Sequence, residues 1–159
     1  MDENTRRIDA LERRLQAVED ELAIHKLIVR YGLAVDTGDA TRTAAVFAPD
    51  GVYDADVRLM RGRAEIEDMV RGERHQGMVG RCAHQIGPAV VQVDGDSATA
   101  LGYSRVYLQN ADGIGIYRVS FNRWTLARRA GAWSITHRLT RLLGHAEAVA
   151  ILREGLGGV

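Results

Sequence analysis

The chain has 159 residues, with 21 Lys and Arg matched by 21 Asp and Glu and a hydrophobic share of 46%. That length suits one domain able to bury a core and line a pocket, and it is short for a two-domain enzyme. Neutral charge excludes a basic field for nucleic acid or an anionic membrane, only two prolines argue against disorder, and a lone cysteine, Cys82, excludes an intramolecular disulfide.

The N-terminal stretch MDENTRRIDALERRLQ is charged and lacks an apolar h-region, and nowhere do 18 apolar residues run together. A cytoplasmic protein without signal peptide or membrane span is therefore expected. The first 36 residues read as helix, because Ile8, Leu11, Leu15, Val18 and Leu22 recur at alternating steps of three and four with charges between them. Residues 1–22 read as a helical extension of a single domain spanning 1–159. After Leu22 the stripe moves to Ile24, Leu27, Ile28, Tyr31 and Val35, which predicts deeper burial and a break near 22–24. Asp36-Thr37-Gly38-Asp39 supplies turn and capping chemistry, ahead of a short helix carrying Ala44, Ala45, Val46 and Phe47.

Pro49-Asp50-Gly51 reads as a turn and GVYDADVRLMRG as two short strands. Gly62 to Val70 returns to helical spacing, and 71–81 reads as a polar loop. Strands follow at 83–93, 97–109, 114–128 and 131–143, separated by Asp94-Gly95-Asp96, Asn110-Ala111-Asp112-Gly113 and Arg129-Ala130-Gly131, each a hairpin signal. Three helical segments before a four-stranded antiparallel meander make an α+β domain. Glu147 to Leu152 reads as a short helix with a glycine-rich tail.

The GxGxxG, P-loop, HExxH, GxSxG and EF-hand patterns are missing, and Gly113-Ile114-Gly115 sits in a hairpin, so the expected chemistry needs neither cofactor nor metal. Tyr31, Asp36 and His84 stand where the pattern expects apolar residues. A buried carboxylate needs a partner, and His84 fits Asp36; a turn aspartate and a satisfied strand histidine remain the alternative. Histidine held by a carboxylate at Nδ1 keeps Nε2 free to remove a proton, and a tyrosine hydroxyl can polarise a carbonyl or protonate a leaving group. Asn122 and Trp124, alternating with Ser120, and Arg138 on the last strand are candidate substrate contacts, against a sheet surface, a subunit interface or a surface ion pair. Tyr103, Arg105 and Tyr107 share the face opposite Gly102, Ser104 and Val106. His25, His75, His137 and His145 read as structural or solvated, and Cys82 as a filler on the His84 face.

The stretches LERRLQAVEDELAIHKLIVRYGLAVDTGD, APDGVY, AHQIGPAVVQVDGDSATALGYS and RRAGAWSITHR resemble the SnoaL-like branch of the NTF2-like superfamily, from about residue 8 to about residue 143. Within it the chain is similar to the group containing scytalone dehydratase, bile-acid dehydratase and hexachlorocyclohexane dehydrochlorinase. The resemblance implies a cone in which helices pack into a curved antiparallel sheet around a deep apolar pocket. It also implies a cofactor-independent lyase or isomerase acting by proton abstraction and elimination on a small, mostly apolar aromatic or polycyclic molecule. In that reading His84 is the base, Asp36 orients it and Tyr31 is the electrophile. The second long strand departs from the dehydratase pattern, offering Gly102, Ser104, Val106 and Leu108 and no acid. Two alternatives stand beside it: a non-catalytic ligand-binding or assembly module, which the seam from Leu11 to Leu22 would serve, and a dioxygenase small-subunit-like protein. A homodimer or homotrimer is expected, because an open sheet face wants covering.

Overall fold

Helix α1 (Glu3–Asp36) is one rod of 34 residues in the computed structural model, which describes residues 2–156. Asp2 caps it by accepting the Thr5 N–H at 2.8 Å. The break expected near 22–24 does not occur. Leu22, Ala23 and Ile24 all tolerate helix, and the displaced stripe marks a change of neighbour. Up to Glu19 the helix is almost wholly exposed, whereas Asp20, Ile24, Ile28, Tyr31 and Val35 are buried.

Helix α2 (Ala40–Ala45) starts at Asp39, whose carboxylate accepts the Arg42 N–H, and ends before Phe47. Phe47 opens β1 (Phe47–Ala55) instead of extending the helix, and Pro49-Asp50-Gly51 forms an irregularity inside that strand. Strand β2 (Arg58–Arg61) and helix α3 (Gly62–Arg71) follow. The segment expected as a loop contains a single helical turn, α4 (Glu73–Gln76), anchored because buried His75 places Nε2 2.7 Å from the Val35 carbonyl. Then come β3 (Cys82–Asp94), β4 (Ser97–Asn110), β5 (Gly113–Arg129), β6 (Ala132–Leu142) and α5 (Ala148–Leu156). Helix α5 runs beyond the expected Leu152; Gly157 and Gly158 of the tail lie outside the described residues.

The last four strands form the expected meander, and the β1–β2 hairpin adds to it beside β6, giving six strands in the order β2-β1-β6-β5-β4-β3. The β1–β6 pair is parallel and every other pair antiparallel. A parallel pair needs a long crossover, here the stretch from α3 through β5. The curved sheet and the helices make an α+β, NTF2-like cone. Ile24, Ile28, Tyr31 and Val35 fill its interior against Phe47 and Tyr53 of β1, Ala98 and Ala100 of β4, Trp124 and Leu126 of β5, and Ile135 of β6. On β4 the alternation buries Gly102, Ser104 and Val106 and turns Tyr103 outward. No helix among the described residues is long and apolar enough to cross a membrane.

Candidate active site

The site begins with the close approach of α1 to β3. A Cβ placed on Gly32 would stand 2.9 Å from the His84 carbonyl oxygen, so only glycine lets the helix lie this near the strand. One turn later, on the same face, Asp36 meets the start of β3. Its Oδ2 accepts the His84 backbone N–H at 2.7 Å, its Oδ1 lies 2.5 Å from His84 Nδ1, and the Cys82 thiol donates to Oδ1 at 3.5 Å. Burial alone would raise the Asp36 pKa, but the ring and backbone hydrogen bonds of His84 hold it below the ordinary carboxylate value. An ionised Asp36 fixes the His84 proton on Nδ1 and leaves the Nε2 lone pair free.

His84 forms part of the wall of a cavity of about 360 Å³. Met60, Met69, Met78 and Val106 give the wall an apolar part, and Arg58, Asp68, Glu73, Arg74, Arg118 and Tyr117 give it a charged and polar one. Buried Nη2 of Arg118 has no hydrogen-bond partner and stands 3.8 Å from Asp56 Oδ2. His75 also borders this space, with its Nε2 already engaged by Val35. A larger groove of about 540 Å³ lies between α1 and α2, lined by Leu27, Leu33, Val46, Arg30 and Arg42 among others. It contains neither histidine nor carboxylate, so the smaller cavity is the one suited to proton transfer.

Asn122, Trp124 and Arg138 lie elsewhere. They are 0%, 1% and 2% exposed, and none lines the His84 cavity. Asn122 Oδ1 accepts from Arg138 Nε at 3.1 Å, Arg138 Nη2 at 2.9 Å and the Thr140 hydroxyl at 2.9 Å, while its amide nitrogen donates to Ser104 Oγ at 2.9 Å. The Arg138 guanidinium sits 4.4 Å from the Tyr31 ring centre, 4.7 Å from Tyr53 and 5.5 Å from Trp124. These three side chains are buried in the cone, where Asn122 joins Arg138, Thr140 and Ser104, while buried Nη1 of Arg138 has no hydrogen-bond partner; they form neither a surface nor an exposed ion pair.

Tyr31 belongs to the same cluster. Five residues before Asp36, it projects about 140° away around the helix, and its ring packs edge-on against Phe47 and Tyr53. Burial pushes its pKa upward and keeps the phenol protonated. Burial acts on Tyr53 in the same sense, but the guanidinium groups of Arg138 and Arg118 outweigh it and bring Tyr53 below the usual tyrosine value. The structure thus unites Asp36 with His84, and Tyr31 with Asn122, Trp124 and Arg138.

Sequence reasoning passed over Tyr53, Arg118 and the three methionines. Arg118 was within reach, because it shares strand parity with Ser120, Asn122 and Trp124. The methionines come from β2, α3 and the segment after α4, and no local pattern joins them.

Asp36, Cys82 and His84 offer three metal-ligating atoms within 4.8 Å of one another. Both Asp36 oxygens, however, already accept protein hydrogen bonds. Burial and the Asp36 charge push the Cys82 thiol up to about 11. These three residues are joined to one another by hydrogen bonds.

Residues 16–139 match the SnoaL-like domain. The chain belongs to the SnoaL-like domain family. An NTF2-like protein with a cystatin-like fold from Novosphingobium aromaticivorans is 39% identical, with a TM-score of 0.86, over 89% of this chain and 94% of its own. A Mycobacterium tuberculosis protein of unknown function is 28% identical, with a TM-score of 0.74, over 90% of this chain and 89% of its own. A scytalone dehydratase-like protein from Novosphingobium aromaticivorans, at 17% identity and a TM-score of 0.68 over 80% of this chain and 86% of its own, shares the fold. No curated protein matches the sequence.

Proposed function

We propose that this SnoaL-like protein is a cofactor-independent lyase or isomerase in which His84 removes a carbon-bound proton from a small, mostly apolar aromatic or polycyclic molecule. The observation that carries the reading is the free Nε2 of a histidine held at Nδ1 by an ionised Asp36, on the wall of a methionine-lined cavity. The broken C–H bond delivers its proton to Nε2, the imidazolium is stabilised by Asp36, and the electron pair forms a new double bond or its enolate equivalent. Arg118, whose Nη2 makes no hydrogen bond and pairs with Asp56 only at 3.8 Å, is the cation on the cavity wall that we assign to the oxygen on which negative charge gathers. The proton held on His84 Nε2 then passes to the leaving hydroxyl or back to carbon. Tyr31 packs against Phe47 and Tyr53 outside the cavity lining, and Tyr31→Phe tests its part as electrophile.

The test is deuterium uptake from D₂O by a panel of fused-ring hydroxyketones, followed by NMR, with Tyr31→Phe run beside His84→Ala. Uptake or elimination that His84→Ala abolishes is the expected result, and an unchanged rate in that variant overturns the proposal. A ligand-binding module is the second reading, favoured by the position of Tyr31 outside the cavity lining. It predicts that panel members bind without exchange or product, and bind equally well to Asp36→Asn and His84→Ala.

A further inference from the structure

The first five turns of α1 present an apolar line to solvent. Ile8, Leu11, Leu15, Val18 and Leu22 are each 50–63% exposed, on a helix whose other face holds the body through Ile24, Ile28, Tyr31 and Val35. An isolated helix of this length is marginal in water, and almost nothing in the body covers residues 3–19. The spacing is that of a heptad, with Ile8, Leu15 and Leu22 at the first core position and Leu11 and Val18 at the second. Where the rod reaches the body, the second core position falls on His25, which faces Glu21 at 3.6 Å.

We propose that this seam pairs with the same seam of a second copy, as a parallel, in-register, two-stranded coiled coil over residues 7–26. The flanking charges carry the choice of occupant. Arg7, Arg14 and Glu21 line one edge of the seam, and Glu12, Glu19 and Lys26 the other. In a parallel pair each residue of the first edge faces the residue five positions later on the second edge of the partner. Arg7 then meets the partner's Glu12, Arg14 meets the partner's Glu19, and Glu21 meets the partner's Lys26. All three contacts are attractive, and the twofold axis repeats them.

An antiparallel pair centred on Leu15 and Val18 instead sets Glu12 against the partner's Glu19, a repulsion that offsets its attraction of Arg14 to the partner's Glu21. The parallel pair alone has every edge contact attractive. Charged residues on both edges leave a seam only two residues wide, which suits two strands better than three. The body does not obstruct the pairing, because it lies on the opposite side of the rod. Asp20 clasps that side, accepting from Arg128 Nη1 at 2.6 Å and Trp133 Nε1 at 3.0 Å, and so fixes where the helix leaves the sheet.

The experiment uses the full chain carrying Leu15→Cys, with sedimentation and disulfide formation under mild oxidation as paired readouts. Cys82 contributes little background, since its thiol is tied to Asp36. The proposal expects a two-chain species that cross-links through residue 15. Glu12→Arg with Glu19→Arg, or Arg7→Glu with Arg14→Glu, makes every altered contact repulsive, and each pair of changes should weaken this association about tenfold or more. Mixing the two charge-reversed proteins should restore both the mass and the cross-link, as a heterodimer. Near-UV circular dichroism confirms that the body stays folded, because all four sites are exposed. Cross-linking and mass unaffected by charge reversal, failure of the mixture to recover, or a monomeric or three-chain parent would each overturn the proposal.

Discussion

Asn122 and Asp36 each use a side-chain oxygen to hold a nitrogen-bearing side chain, Arg138 in one case and His84 in the other, yet the two clusters end in different states. Around Asn122 three donors converge on one oxygen, the amide nitrogen is spent on Ser104, and the guanidinium of Arg138 lies among three aromatic rings with almost no exposed surface. Around Asp36 both oxygens are likewise occupied, but the histidine they hold keeps one nitrogen unspent on a cavity wall. The difference teaches that a polar residue facing inward is not thereby a site. A guanidinium packed among rings and hydrogen-bonded through two of its three nitrogens, with Nη1 left over, holds a core together. A lone pair left over on a cavity wall, by contrast, can take up a proton.

The largest effects should follow from removing His84 from one cluster and Arg138 from the other. His84→Ala should lower turnover of any substrate found by about two to four orders of magnitude while moving the melting temperature little. Arg138→Ala should do the reverse, destabilising the fold by about 3–5 kcal/mol through the loss of a buried, hydrogen-bonded and stacked cation. For a chain of this size that is a fall of about 10 °C in thermal unfolding. If Arg138→Ala melts with the parent, the second cluster is not the structural one.

Gly32→Ala should act between these extremes. Its methyl meets the His84 carbonyl oxygen, so the helix must move off β3, at an overpacking cost of about 1–3 kcal/mol. The ¹⁵N shifts of the His84 ring should then report a loosened Nδ1–H, as they should in Asp36→Asn, where the charged acceptor is gone. A ring spectrum identical to the parent in both variants would mean that Asp36 does not set the tautomer.

The smallest effect concerns acid. Asp20, Asp36 and Asp54 all have carboxyl pKa values below the ordinary one. Burial opposes the shift at Asp20 and Asp36 and is outweighed by Trp133 and Arg128 at the first and His84 at the second, while Arg141 lowers Asp54. Groups depressed in the folded state stabilise it above their unfolded pKa, near 3.9, and lose that contribution as pH falls through the folded value. Stability should therefore decline below about pH 4, and Asp20→Asn should flatten the decline in melting temperature measured from pH 5 downward.

Much of the architecture was legible because hairpins are local. Each separator between the long strands carries its own turn residues, and the helical stripe of α1 declares itself within two turns. Pairing of β1 with β6 was not, since it joins residues separated by the whole meander, and α4 is one turn long, held by a contact from His75 to Val35 rather than by its own pattern. At the site, Asp36 and His84 stood out because each interrupts an apolar pattern. Asn122, Trp124 and Arg138 were legible as inward-facing, but parity is silent on whether an inward group meets a ligand or another side chain. Asp20 gave no signal at all, lying within the acidic run Glu19-Asp20-Glu21, where only the tertiary fold singles out one carboxylate.

Two of these acids turn α1 into a ruler. Asp20 is fastened to Arg128 and Trp133 on the last hairpin, Asp36 to His84 on the far edge strand, and the 16 helical steps from one to the other span about 24 Å. One inserted or deleted residue would rotate one fastening by about 100° relative to the other and slide it by about 1.5 Å, so both could not close. The number of residues between the two fastenings, more than the identity of those facing solvent, is what keeps both closed.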